Sequence, residues 1–161
     1  MPRIDNEIRI TPSVLDRLID YEPEVSREPP ASRSRSLRQL KQSIKRDLEW
    51  LLNSRQVATE LPPDLEELNR SLAAYGLADF TQLNVKTQAD QNRLRRAIEN
   101  AISLFEPRLE DVIVTLMPAE RLQTSVRFRI DARLRIEPAP EPVTFDTSLE
   151  IASGEYVVKE G

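Results

Sequence analysis

Residues 105–109 read Phe-Glu-Pro-Arg-Leu and separate two different patterns of apolar residues. Before this stretch the apolar residues recur at steps of three and four, which indicates a helix, and after it they alternate, which indicates a strand. Proline fixes its own φ and disfavours helical geometry in the residue before it. We therefore predict that the helix ends at Glu106, that Pro107 makes a corner, and that a strand begins near Leu109.

Glu106 and Arg108 flank this corner with opposite charges. A protein core does not tolerate an unpaired charge, because an ion that leaves water loses its hydration. Two interpretations stay open at this point. The two residues form an ordinary ion pair at the surface end of a helix, or they form a buried pair that the fold requires.

Two long helices are predicted before the corner. Their spacing predicts one helix from about residue 37 to 54, capped by Ser36, and another from about 88 to 105, capped by Thr87. Their apolar stripes are Leu37, Leu40, Ile44, Leu48, Leu51 and Leu52 in the first helix, and Leu94, Ile98, Ile102 and Phe105 in the second.

Weaker signals surround these helices. Thr11 and Pro12 are typical of the first residues of a short helix, and Asp64 is typical of an N-cap. Residues 21–35 carry three prolines and almost no apolar residue, so we predict a mobile linker there. Trp50 lies beside the apolar stripe, and we expect it to fill an edge of the core rather than to anchor a partner.

Strands are predicted after the corner. Alternating apolar and polar residues predict strands at about 110–116, 124–137 and 143–151, with a short last strand at about 155–158. Such a sheet has one apolar face, which packs against helices. The sequence therefore predicts a two-layer α+β fold, with N-terminal helices packed on a mainly antiparallel C-terminal sheet.

The second predicted strand carries arginines along its polar face. Pairing residue 137 with residue 142 across the proline-rich turn neutralises them with two cross-strand ion pairs, Arg133 with Asp146 and Arg129 with Glu150. We favour this register, and the alternative is a strand face left uncovered for a partner. The candidate sheet edges for a partner strand are residues 143–151 and 155–158, and which of the two is exposed stays open.

The composition limits the function classes. The chain has 161 residues, which fit one domain spanning residues 1–161, and 39% of them are apolar. The net charge of −4 argues against a general nucleic-acid binder. The absence of Cys and His removes thiolate zinc sites, a Cys nucleophile and the commonest general base. We expect no metal, no cofactor and no catalytic residue.

The ends and apolar runs of the sequence bear on localisation. The first residues do not open a secretory signal, because no apolar segment follows the first charges. No apolar run approaches the roughly 20 residues that a membrane helix needs. We expect a cytoplasmic protein with no direct membrane insertion.

One enzymatic alternative is glycoside hydrolysis, which needs two carboxylates beside the sugar. Glu106 would be the acid, with Asp111 or Asp131 as its partner. Against this alternative, a neighbouring arginine favours a charged carboxylate, whereas the general acid of a glycosidase must hold its proton. Aromatic residues that bind sugar rings are also scarce. We therefore expect that the protein is not an enzyme.

Several stretches resemble one protein family in the order in which they occur. Besides residues 105–109, the run Arg-Asp-Leu-Glu-Trp-Leu-Leu-Asn spans residues 46–53, and shorter matches occur at 13–18, 75–77, 128–132, 145–147 and 154–156. On these residues the chain resembles TssE, a baseplate protein of type VI secretion. That family is similar to the phage-tail baseplate wedge proteins once named lysozyme-like.

The resemblance implies a structural subunit that joins baseplate wedge proteins and initiates sheath polymerisation by strand exchange. The implied partners are wedge proteins like TssF, TssG and TssK, and sheath subunits like TssB and TssC, at a baseplate associated with the inner membrane. It also suggests that Glu106, Pro107 and Arg108 hold the docking geometry for a partner, without reacting chemically. The alternatives are a baseplate subunit of another phage-tail-like contractile system and the carbohydrate-cleaving enzyme.

Overall fold

Helices occupy the first part of the chain and strands the second. The computed structural model describes residues 10, 12–19, 23–24, 33–57, 61–80, 87–117, 125–150 and 153–161. The elements in order are α1 (Val14–Leu18), α2 (Arg33–Asn53), α3 (Glu66–Asn69), a 3-10 turn (Leu72–Ala74), α4 (Gln88–Phe105), β1 (Leu109–Leu116), β2 (Ser125–Leu134), β3 (Glu141–Glu150) and β4 (Tyr156–Glu160). None of the helices in these ranges combines the length and the apolar character that crossing a membrane requires.

The four strands form one antiparallel sheet in the order β1-β2-β3-β4. Each strand pairs with its neighbour in sequence, so β1 and β4 are the edges among the described strands. The prediction that residues 143–151 offer an edge is wrong, because β3 is hydrogen-bonded to a strand on each side. The other predicted edge, near residues 155–158, coincides with β4.

Helices α2 and α4 pack on the sheet and on each other, α4 against β1 and α2 against β4. The predicted stripes are confirmed, since Leu40, Ile44, Leu48, Leu51 and Leu52 of α2 and Leu94, Ile98 and Ile102 of α4 are buried. The sheet contributes Val114, Phe128, Ile130, Leu134, Val143, Phe145 and Val158 to the same core. Each fully buried side chain of this size stabilises the fold by about 1.5–3 kcal/mol. The predicted two-layer α+β fold is confirmed.

A β-bulge in β1 lets the corner and the strand share this core. Leu109 and Val114 are both buried, although strict alternation over five positions would put them on opposite faces. The register with β2 shifts around Asp111, which has a φ of +50°. The extra residue reverses the alternation, so the predicted inward face from Val112 onward is confirmed. The bulge itself was not predicted.

The hairpin between β2 and β3 has a longer loop than predicted. Leu134 pairs with Glu141, and Arg129 lies opposite Asp146 rather than Glu150. The predicted register is therefore wrong. Pro138 and Pro140, which have no N–H to donate to a ladder, lie in this loop, whereas Pro142 lies in β3 opposite Arg133.

The short helix α1 begins later than predicted. Ser13 is its N-cap: its hydroxyl accepts a hydrogen bond of 3.1 Å from the N–H of Asp16, and the Asp16 carboxylate accepts one of 3.3 Å from the N–H of Ser13. This reciprocal capping box replaces the cap expected at Thr11, which lies outside the described residues. Pro12 therefore precedes the helix and is not its first residue.

Other helix starts also differ from the prediction. Helix α2 begins at Arg33 and not after Ser36, because Ser and Arg do not break a helix as proline does. Residues 33–35 of the predicted linker are thus helical. Apart from residues 23–24, the rest of that linker lies outside the described residues and its mobility stays a prediction. The cap of α3 is Leu65 and not Asp64.

Candidate functional site

The corner at residues 105–109 is closed by backbone hydrogen bonds. Helix α4 ends at Phe105, and Glu106 follows as its C-cap, with its N–H donating to the carbonyl of Ile102 at 2.8 Å. The N–H of Leu109 donates to the carbonyl of Glu106 at 3.1 Å. The carbonyl of Arg108 accepts from the N–H of Arg135 at 2.8 Å, which ties the corner to the end of β2. The predicted geometry of helix end, corner and strand start is confirmed.

Glu106 is a buried charge with a single dominant partner. Only 4% of the residue is exposed. The Nε and Nη2 atoms of Arg108 donate to its two carboxylate oxygens at 2.5 Å each, in the forked geometry that a guanidinium offers to a carboxylate. Pro107 is exposed and stands on the outside of the turn. Glu106 is thus buried, as the second interpretation expects, while the Arg108 side chain is 26% exposed; whether the fold requires the pair stays a prediction.

Arg108 also reaches across to α2. Its Nη2 donates to Asp47 at 2.5 Å and its Nη1 donates to the hydroxyl of Ser43 at 3.0 Å. Within the described part of the chain, four of the five guanidinium N–H groups are engaged. The arginine thus clamps the end of α4 to the middle of α2.

The chain of charges continues from α2 to α1. Arg46 donates to Asp47 at 2.8 Å and to Asp16 at 2.9 Å. The Ser43 hydroxyl accepts a hydrogen bond from Arg108 and donates one to Asp16 at 2.7 Å, so it connects the corner to α1. We call this set of side chains the corner network: Asp16, Ser43, Arg46, Asp47, Glu106 and Arg108.

The electrostatics of the network favour its charged form. Burial by itself raises the pKa of Asp16, but hydrogen bonds from Ser13, Ser43 and Arg46 outweigh it and lower the pKa from 3.8 to about 2. Burial lowers the pKa of Arg108, yet its bonds to Glu106 and Asp47 raise it well above the usual value. Three carboxylates face two guanidinium groups, so the network carries one negative charge in excess.

Sequence reasoning found Glu106, Pro107 and Arg108 but missed the other members of the network. Arg46 and Asp47 entered only as part of the resembling run at residues 46–53, and Ser43 was not considered. The sequence did contain a signal for these three residues. Arg46 and Asp47 follow Ser43 by one helical turn, so their polar side chains are neighbours beside the apolar stripe. Nothing in the sequence places Asp16 next to them.

Trp50 differs from its predicted position. Its side chain does not fill the core; the residue is 52% exposed, and the Arg46 guanidinium lies over its ring at 5.1 Å from the centroid. The nearby helix α1, held to α2 through Asp16, exposes Val14 and Leu18 by 73% and 76%. The network therefore lies next to exposed apolar side chains.

Arginine and serine side chains hold the carboxylates of the network. Both oxygens of Glu106 are bound by one arginine. The two carboxylates considered as its partners are engaged elsewhere, Asp111 with Arg133 and Asp131 with the hydroxyl of Thr144 at 2.8 Å. In the ranges that the structure describes, no three potential ligands from His, Cys, Asp and Glu are grouped to hold a metal.

Comparisons with known proteins find similarity to a protein family and to solved structures. A family model described as "Baseplate wedge protein gp25" matches residues 38–139, from α2 to the turn before β3, and includes the corner. A solved structure titled "The baseplate complex from the type VI secretion system" has a similar fold, with a TM-score of 0.50 and 20% sequence identity, covering 74% of this chain and 95% of that chain. No curated protein matches the chain.

Proposed function

Because the chain belongs to the baseplate wedge protein gp25 family, as its resemblance to TssE predicted, we propose that it is the gp25-type subunit of a type VI secretion baseplate. Its role in a baseplate is structural. In our proposal it joins the wedge proteins, those like TssF, TssG and TssK, and initiates polymerisation of a sheath of TssB-like and TssC-like subunits. The observation that carries the baseplate role is the family match across α2, the corner and the first two strands, and the resemblance of residues 46–53 and 105–109 to TssE favours type VI secretion.

We assign different tasks to the three corner residues. Glu106 is buried and does not reach a partner, so it acts by fixing the direction of the Arg108 side chain. Arg108 keeps 26% of its side chain exposed, and Pro107 is exposed beside it. A rigid, partly exposed guanidinium next to a rigid proline is a preorganised contact, which reduces the entropy lost on binding. Pro107 and Arg108 would touch the wedge partner, and Glu106 would hold them.

The fold supports strand exchange with the sheath as the second part of the role. An edge strand presents backbone N–H and C=O groups that a partner strand can pair with. Among the described strands, β1 and β4 are the two edges of the sheet.

A second candidate is a subunit of another phage-tail-like contractile system. The family match favours it equally, because the family description names a baseplate wedge and no particular machine. Pull-down of the purified protein against the products of neighbouring genes separates the two. Capture of type VI wedge proteins supports the first proposal, and capture of phage-tail tube or wedge proteins supports the second.

The corner assignment is tested with Arg108→Lys. Lysine keeps the positive charge but loses the fork that binds both oxygens of Glu106, so the contact loses its fixed direction. We expect a folded protein that fails to support sheath assembly in cells. The measurements are thermal unfolding of the purified variant and sheath formation in cells that carry it.

The matched control is Arg129→Lys, which makes the same change at an exposed arginine that pairs with Asp146 at 3.1 Å. This control should fold and build sheaths like the parent protein. If Arg108→Lys folds and also builds sheaths, the corner is a structural clamp and the partner contact lies elsewhere.

A further inference from the structure

Side chains of the helices bind the outward backbone groups of the two sheet edges, β1 and β4, to different extents. The N–H of Gly161 donates to the carbonyl of Thr144 on β3, so by alternation Tyr156 and Val158 of β4 turn their backbone groups away from β3. In the same way, the N–H of Met117 donates to the carbonyl of Arg127, so Val114 and Leu116 of β1 turn theirs away from β2. These outward groups are the ones that a partner strand would use.

On β4 these groups are occupied by α2. The side-chain amide of Asn53 binds Tyr156 in both directions, accepting from its N–H and donating to its carbonyl, each at 2.8 Å. Glu49 accepts from the N–H of Val158 at 3.2 Å. Tyr156 and Val158 are also buried, at 7% and 0% exposure. Asn53 thus imitates the pairing of a fifth strand at Tyr156, and Glu49 adds one further bond at Val158, so within the described residues more of this edge is occupied than of the β1 edge.

On β1 the closure is smaller. Glu99 of α4 accepts from the N–H of Val114 at 3.0 Å, and Arg95 holds that carboxylate at 3.0 and 3.1 Å. A carboxylate has no donor, so Glu99 cannot serve the carbonyl of Val114 as Asn53 serves that of Tyr156. The inward side chains of Val112 and Leu116 are only half-buried. Among the residues that the structure describes, both the hydrogen bonding and the apolar cover of the sheet are incomplete at this edge.

From this difference we propose that the outer edge of β1 accepts the partner strand and that Glu99 is a latch occupying the edge until the strand arrives. The proposal rests on strand exchange with the sheath as the function. The occupant is an extended segment of a sheath subunit, with apolar side chains on the helix side beside Val112 and Leu116. On binding, Val114 exchanges the Glu99 carboxylate for a backbone carbonyl.

Amide hydrogen exchange tests the edge directly on the unmodified protein. The probe is the purified sheath subunit, mixed with the full chain. Exchange in residues 112–117 should slow at least tenfold on binding, while exchange in residues 156–160 stays unchanged. Slowing at 156–160 instead, or at neither segment of a bound protein, overturns the proposal.

Two matched variants test the latch. Glu99→Ala and Glu49→Ala each remove a helix carboxylate that accepts from an edge-strand N–H. In Glu99→Ala the bond from the Val114 N–H to Glu99 no longer competes with the partner strand, so this variant should bind the sheath subunit about fivefold more tightly. Glu49→Ala should bind the sheath subunit with unchanged affinity. Glu99→Gln, which keeps an acceptor, serves if the alanine variant does not fold, and it should stay within twofold of the parent.

Failure of the edge assignment differs from failure of the proposed function. If the sheath subunit does not bind the parent protein and sheaths form in cells without it, the function is wrong. If the subunit binds but β1 stays unprotected, or if Glu99→Ala binds no more tightly than Glu49→Ala, only the edge and the latch are wrong.

Discussion

The corner network and the outer face of the sheet both contain ion pairs between arginines and carboxylates, but the side chains of these pairs differ in their exposure to solvent. On the outer face, Arg129 pairs with Asp146, Arg133 with Asp111, and Arg135 with Glu110, with side-chain exposures between 37% and 71%. In the network the exposures of the paired side chains run from 6% to 26%. The network arginines also bridge two carboxylates each, across three helices or helix ends.

This difference separates ion pairs that solvate a surface from ion pairs that the fold depends on. An exposed pair is worth about 0–1 kcal/mol, because water and salt compete for both partners. Removing one partner of a buried pair leaves the other charge without compensation and costs roughly 3–5 kcal/mol. The burial of each pair therefore orders the expected effects of substitution.

The largest effect is expected for Glu106→Ala. The substitution leaves Arg108 with Asp47 and Ser43 but without its forked partner inside the corner. We expect a loss of about 3–5 kcal/mol in the free energy of unfolding, measured by chemical denaturation. Asp146→Ala is the control on the outer face, and a loss of equal size in both variants would abolish the distinction between the two regions.

A smaller effect, with a characteristic pH dependence, is expected for Asp16→Asn. The folded pKa of Asp16 is about 2, against an ordinary 3.8, so the folded state binds its proton less tightly than the unfolded state. The stabilisation is present above about pH 4 and disappears as the pH falls towards 2. The shift corresponds to roughly 2 kcal/mol.

The check is the difference in unfolding free energy between the parent and Asp16→Asn, measured from about pH 5 down to about pH 2. We expect this difference to shrink by most of its value over that range. A difference that stays constant with pH would mean that Asp16 contributes through packing of α1 and not through its charge.

The fold could be predicted from the sequence because the spacing of apolar residues indicates which side chains are buried. The stripes of α2 and α4 and the alternation of β2 place Leu48, Ile98 and Ile130 in one core, and all three are buried. The corner at Pro107 could also be predicted locally, because proline fixes its own φ and restricts the conformation of the residue before it.

The rest depended on contacts between residues far apart in sequence. The predicted hairpin register was wrong because the loop is longer than the predicted turn, which puts Arg129 opposite Asp146 and not opposite Glu150. Asp16 is 30 residues from Arg46 in the chain, and no local pattern joins them. Trp50 was misplaced because a residue beside an apolar stripe packs inward or outward according to what lies next to it, here Arg46.

The smallest effect is expected on the outer face, where a double-mutant cycle on Arg129 and Asp146 gives the most direct contrast with the network. Their side chains are 43% and 50% exposed and meet through one bond of 3.1 Å. We expect a coupling energy below about 1 kcal/mol that falls further in roughly 1 M salt, because the Debye length there is about 3 Å. Each single alanine variant should unfold with nearly the parent's free energy.

A coupling above about 2 kcal/mol that persists in salt would mean that neighbouring strands shield this pair as the helices shield Glu106. Exposure would then no longer explain why the corner and the outer face behave differently, and the bridging of each network arginine between two carboxylates would be left as the cause.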